Sequence, residues 1–207
     1  LEGMARLYRQ TDPVTALENF EIALELAKKL DDRSKQGDLL NSMGINEWSR
    51  GNYDGALELY EQALEIFRER DDRVHTGLML NSIGVTLKRL RRQDDARARL
   101  LEALEVNRQT GERLLEGHSL AALGDVCSES GNSDEALEHY RGSLEIRKEI
   151  DDRKGEGWML HQLARVYASQ GEQEEARDFS KRASAIAAEC RDEKLKGVSY
   201  ELQDSLS

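Results

Sequence analysis

The sequence predicts an all-α protein, a solenoid of stacked antiparallel helix hairpins, and three observations lead there. A single proline, Pro13, stands among 207 residues, where average usage would place about ten, so long helices are free to form. Apolar residues recur at spacings of three and four, as in Leu57, Tyr60, Leu64 and Phe67, which is the period of one helix face, and strand-like alternation is weak. The third observation is self-similarity at an offset of 40 residues with no insertion or deletion. Asp31-Asp32-Arg33 returns as Asp71-Asp72-Arg73, Gly111-Glu112-Arg113 and Asp151-Asp152-Arg153. Glycine returns at Gly37, Gly77, Gly117, Gly157 and Gly197, a second small position runs Gly44, Gly84, Gly124, Ala164, and a third runs Ala16, Ala56, Ala96, Ala136, Ala176.

Each unit divides into two helices. The first begins at the Asp-Asp-Arg segment, whose carboxylates cap free amides and favour the positive helix end. It ends at Gly51, Gly131 or Gly171, where glycine can take the left-handed conformation that closes a helix. The second starts around Asp54, Asp94, Asp134 and Glu174 and carries an apolar stripe, in the third unit Ala136, Leu137, Tyr140, Leu144 and Ile146. Short connections make the helices antiparallel neighbours. Small residues at Gly44 and Ala56 let the two helices approach closely, with large residues of the next hairpin expected to fill the gap. One hairpin cannot bury its own apolar face, so stacked neighbours supply the core. The resulting array spans 1–207: a partial repeat at 1–30, full repeats at 31–70, 71–110, 111–150 and 151–190, and a capping helix at 191–207.

Composition narrows the function. Charged residues make up 34% of the chain and hydrophobic residues 38%, more charge than an average globular protein but too much apolar content for a disordered one. The 41 Asp and Glu outnumber the 30 Lys and Arg, for a net charge of −11. That balance gives no counterion-release drive toward nucleic acid or anionic membrane, so neither is expected as a partner. No apolar run approaches the ~18 residues of a membrane span, and Leu1-Glu2-Gly3 does not open a signal peptide. The absence of an initiator Met points to a segment of a longer protein. Cys127 and Cys190 form neither a disulfide framework nor a zinc pattern, a usage that fits a cytoplasmic location.

The repeated residues resemble the tetratricopeptide repeat, with a large residue, Leu-Gly and Tyr on the first helix and Ala and an aromatic on the second. The match reads Leu40, Met43-Gly44, Glu47, Ala56, Tyr60; then Leu80, Ile83-Gly84, Leu87, Ala96, Leu100. It continues as Leu120, Leu123-Gly124, Cys127, Ala136, Tyr140, and as Leu160, Leu163-Ala164, Tyr167, Ala176, Ser180. The usual repeat has about 34 residues and ends near a proline. This one is longer and lacks that proline, so its second helix is expected to run longer. The sequence is similar in this respect to the long-repeat arrays of animal spindle-orientation adaptors and of bacterial kinases, nucleotide cyclases and transcription regulators. The resemblance implies a right-handed superhelix whose first helices line a concave groove that receives a peptide or helix of a partner.

Carried over by repeat position, the inward candidates are Asp38, Asn41, Ile45 and Trp48; Leu78, Asn81, Val85 and Lys88; His118, Ala121, Asp125 and Ser128; and Trp158, His161, Arg165 and Ala168. Asn41 and Asn81, one repeat apart, offer donor and acceptor groups for an extended backbone. Trp48 and Trp158 are the only tryptophans, a residue type favoured at interface hot spots and also in inter-repeat packing. Lys88, Arg89, Arg91, Arg92, Arg97 and Arg99 form a basic stretch in an acidic chain. It either clamps carboxylates of a partner, with Lys88 and Arg89 nearest the groove, or offsets a helix dipole. His118, His161 and Asp125 lack the short ligand spacing of a metal site, and Cys127 at its packing position is no nucleophile. No phosphate loop or nucleophile elbow occurs. The expectation is a non-enzymatic scaffold without cofactor, monomeric or weakly dimeric through its open terminal repeats. The alternative is a regulatory or self-association segment that binds its own flanking domain.

Overall fold

The computed structural model describes residues 13–206, with side chains from Asn19 onward. Ten helices are present among the described residues: α1 (Pro13–Lys29), α2 (Arg33–Ser49), α3 (Tyr53–Glu69), α4 (Arg73–Arg89), α5 (Gln93–Thr110), α6 (Arg113–Glu129), α7 (Ser133–Glu149), α8 (Arg153–Gln170), α9 (Gln173–Cys190) and α10 (Glu193–Ser205). No strand occurs among them. The expected partial repeat at 1–30 is represented by α1; its positions 1–12, and the side chain of Ala16, lie outside the described residues.

The junctions explain why the frame never slips. In each, one residue adopts a left-handed backbone: Asp31, Gly51, Asp71, Arg91, Gly111, Gly131, Asp151, Gly171 and Arg191, with φ between 53° and 82°. The residue after it donates its N–H back to the last helical turn, as in Asp72 to the Phe67 carbonyl at 2.9 Å and Asn132 to the Cys127 carbonyl at 2.9 Å. This is the double-bonded helix stop that satisfies orphan carbonyls. That same residue then caps the next helix. Asp32, Asn52, Asp72, Asp152 and Asp192 accept from the amides of Lys35, Gly55, His75, Gly155 and Leu195, while Glu112, Asn132 and Glu172 make no side-chain cap bond. Glycine was legible at only some of these stops; the structure places the same geometry at both ends of every full hairpin.

The small positions work within the hairpin. A Cβ at Gly44 would lie 2.5 Å from the Tyr60 ring, and one at Gly124 would lie 2.6 Å from the Tyr140 ring. The residue that fills the gap is therefore the tyrosine of the same hairpin, a correction to the expectation that the next hairpin supplies it. Gly157 meets both kinds of neighbour, Ile186 of its own hairpin and Leu195 of α10. Within each full hairpin the two helices are nearly equal in length: α2 and α3 have 17 residues each, α4 has 17 and α5 has 18, α6 and α7 have 17 each, and α8 and α9 have 18 each.

Two compact units result, Leu1–Arg99 and Leu100–Ser207, divided within α5. In the first, α2 packs with α1 and α3, and α3 with α4. Phe67 and Tyr60 are almost fully buried there. In the second, α6 through α10 pack in succession, and α10 also touches α8. Its core holds Tyr140, Leu144, Leu160 and Leu163.

Candidate partner-binding faces

In the second unit, one face of α8 meets α10 around a cavity of about 620 Å³. Ala121, Met159, Val198 and Leu202 give it an apolar lining, and Trp158 and His161 add rings. Asp125 and Arg165, both expected from the sequence, line it as well, together with Lys194 and Glu201 of α10.

Side-chain contacts fix most of these groups. The Tyr140 hydroxyl donates to Asp125 Oδ1 at 2.8 Å, and Gln162 Nε2 donates to the same oxygen at 2.9 Å. Arg165 in turn donates to Gln162 Oε1 at 3.0 Å. Burial, then the Asp125 charge beside it, pushes the Tyr140 hydroxyl well above its ordinary range, so it stays a donor. Trp158 donates its indole N–H to Asp192 Oδ2 at 3.3 Å, and the Lys194 ammonium stands 5.6 Å over its ring. Asp192 also pairs with Lys154 at 3.2 Å. Trp158 packs partly against the core and also lines the cavity.

His161 is buried to 6% exposure, edge-on to Trp158, with Nδ1 3.5 Å from the Ser199 hydroxyl. Burial, and then Arg165, depresses it to about 4, so near neutral pH the ring is uncharged. His118 does not line the cavity. It lies half-buried on α6, its pKa lowered by burial and by Arg147. Cys127 is in the core with Sγ 3.3 Å from Glu135 Oε2. No group of three metal-ligating side chains is found among the described residues, and none of the described helices is long and apolar enough to cross a membrane.

The first unit presents a second face. Asn41 and Trp48 are half-buried on α2, with Asp38 exposed before them and Ile45 exposed between them. Asn81, Val85 and Lys88 are half-buried on α4, and Arg89 is exposed. The Arg89 guanidinium lies 5.7 Å over the Trp48 ring, which meets Tyr53 edge-on at 5.7 Å. Asn81 Oδ1 is buried without a hydrogen-bond partner. Within the basic stretch, Arg92 pairs with Asp95 at 2.8 Å.

Tyr140 was legible from the sequence only as a packing residue, and Gln162, Asp192 and the α10 side chains were not singled out. Asp192 carried a signal, since it occupies the capping register of Asp32, Asp72 and Asp152. The others carried none, because their roles depend on which helices meet.

These capped hairpins in strict register define a helical-repeat scaffold. The tetratricopeptide repeat model matches residues 1–69, 75–149 and 130–189, and the chain belongs to that family. Comparison of the sequence with curated proteins gives no match. Among solved structures, the fold is similar to BtubC from P. vanneervenii, with a TM-score of 0.78 at 17% identity, over 95% of this chain and 86% of that one. It is similar to aspartyl phosphate phosphatase F from Bacillus subtilis, TM-score 0.83 at 15% identity, over 99% of this chain and 57% of that one. It is also similar to a Rap protein complexed with Competence and Sporulation Factor, TM-score 0.80 at 17% identity, over 100% of this chain and 62% of that one. This chain therefore spans less than two thirds of the length of the latter two.

Proposed function

We propose that this chain is a non-enzymatic interaction module that holds a peptide or helix of a partner protein against its first-helix faces. The observation that carries the reading is the cavity of about 620 Å³ beside Trp158. Its size falls in the usual range of ligand sites, and its mainly apolar lining with a few placed polar groups is what such sites require. The tetratricopeptide fold is generally non-catalytic, and repeat scaffolds use extended surfaces for binding. Affinity capture with the chain as bait, followed by titration of the recovered partner, tests the reading. Trp158→Ala and Arg165→Glu should each weaken binding by about tenfold, the scale of a hot-spot residue, with helicity unchanged. Asn41→Ala with Asn81→Ala should reduce it further. Undiminished binding in all three variants overturns the assignment.

A second reading rests on α1, where Ile22 and Leu26 are 62% and 54% exposed and Leu30 follows at the same spacing. Such a stripe fits a self-associating face or one covered by a flanking domain. Light scattering across concentration tests the first case: a monomer throughout, unchanged by Ile22→Glu, removes self-association.

A further inference from the structure

Three contacts hold the two helices of a hairpin together, and α1 and α10 each carry one half of all three. The first joins helix ends. Arg33 at the start of α2 pairs with Glu69 at the end of α3, Arg113 of α6 with Glu149 of α7, and Arg153 of α8 with Glu189 of α9. Arg113 and Arg153 also hold a glutamate three residues on, Glu116 and Glu156. The second contact seats a branched side chain on a glycine. A Cβ at Gly37 would lie 3.3 Å from Ile66, one at Gly117 would lie 3.3 Å from Ile146, and one at Gly157 would lie 2.9 Å from Ile186. The third sets Leu120 of α6 against Gly142 of α7, where a Cβ would lie 3.3 Å from the leucine.

Carried along the 40-residue frame, the first-helix halves fall on Glu193, Lys196, Gly197 and Tyr200 of α10, and the second-helix halves on Ile22, Leu26 and Lys29 of α1. The apolar halves stand open. Leu26 is 54% exposed, where Ile66, Ile146 and Ile186 are buried. Gly197 has nothing within 4 Å of a would-be Cβ. Tyr200 is 49% exposed in the register of the buried Leu40, Leu80, Leu120 and Leu160, and Ile22 is exposed as well. The charges are reversed as a set. Glu193 stands in the arginine register and pairs with Lys196 three residues on, at 3.7 Å, where Arg113 and Arg153 pair with glutamates. Lys29, exposed at the end of α1, stands in the register of Glu69, Gln109, Glu149 and Glu189. Among the second helices, α1 alone offers a cation there.

Building on the self-association reading of α1, on which this rests, we propose that α1 of one copy docks on the first two turns of α10 of a second copy and acts as its second helix. Leu26 then covers Gly197, Ile22 meets Tyr200, and Lys29 sits beside Glu193. Covering Leu26 and Ile22 supplies the attraction. The reversed pair selects the partner, because a second helix of the glutamate type would set like charges together at Glu193. Asp204 stands in the register of Gly44 and Gly124, and Phe20 is already buried, so the contact ends before that position. The two surfaces differ, which makes the interface heterologous, closing as a ring or continuing as a chain.

Sedimentation velocity of the full chain across concentration reads the assembly, with circular dichroism confirming that each variant is folded. Lys29→Glu and Glu193→Lys should each raise the concentration needed for association by about tenfold. An equimolar mixture of the two variants should restore it, since each offers the other an opposite charge. Gly197→Gln should weaken association by a similar factor by filling the seat of Leu26. It should leave the melting temperature of the single copy no lower, because the site is open and glutamine is the better helix former. Glu61→Lys, an exposed position on α3, makes the same change in net charge as Glu193→Lys and should stay within about twofold of the unaltered chain. Failure of the mixture to recover, or equal loss in Glu61→Lys, overturns the proposal. Association that Ile22→Glu abolishes but Glu193→Lys and Gly197→Gln leave unchanged overturns the α1–α10 pairing and keeps self-association through α1. A single copy at every concentration removes both.

Discussion

Gly124 shows how little freedom single residues have in this scaffold. The space its side chain would take is filled by the Tyr140 ring, whose hydroxyl is tied to Asp125 at the cavity. Gly124→Leu should therefore cost about 1–3 kcal/mol through overpacking, and thermal unfolding would read it. It should also displace Asp125, linking core to site. His161 gives a pH prediction. Its folded pKa of about 4 lies below the ordinary histidine value of 6.5, so the folded state favours the neutral ring. The associated stability is present above pH 6.5 and is lost as pH falls toward 4. The melting temperature should decline across that window, and His161→Gln should flatten the decline. A decline of equal depth in the variant would assign the acid sensitivity to other groups.

At the scale of elements, the hairpins are governed by their stops. Gly131 has φ of 81° and no atom within 4 Å of a would-be Cβ, so Gly131→Ala tests backbone conformation without a clash. It should destabilise by about 1 kcal/mol, the cost of a left-handed non-glycine residue. Asp72→Ala should lose about 1 kcal/mol of capping, whereas Glu112→Ala should lose far less, because Glu112 caps nothing with its side chain. Denaturant titration of the pair checks the contrast. These stops were largely legible in the recurring Asp-Asp-Arg and glycine positions, since capping chemistry is local. Arg91 and Arg191 were not legible as left-handed residues, because arginine has no preference for that conformation and register imposes it.

At the scale of the whole molecule, stability accrues from neighbours. Leu195 is fully buried against Gly157, and Ser180 donates to the Ser199 carbonyl at 2.9 Å, so α10 is part of the packing of its unit. Removing residues 192–207 should expose this seam, lower the melting temperature and abolish ligand effects on Trp158 fluorescence; the burial of Leu195 alone is worth about 1.5–3 kcal/mol. Undisturbed melting of the truncated chain would show α10 to be dispensable. The net charge of −11 is compatible with a packed core inside each unit because the helices of a repeat scaffold keep one face in water.

The helical class, the 40-residue register and the junctions were already written in the sequence. Those follow from local rules of capping, turn conformation and periodicity, which each short stretch carries within itself. Only the tertiary structure decided that Tyr60 and Tyr140 fill their own hairpins, that His161 is buried and neutral, and that α10 completes a cavity around Trp158. It also seated Arg89 on Trp48. Each of these depends on which side chains from distant parts of the chain come to share one space, and packing settles that after the local rules have been met.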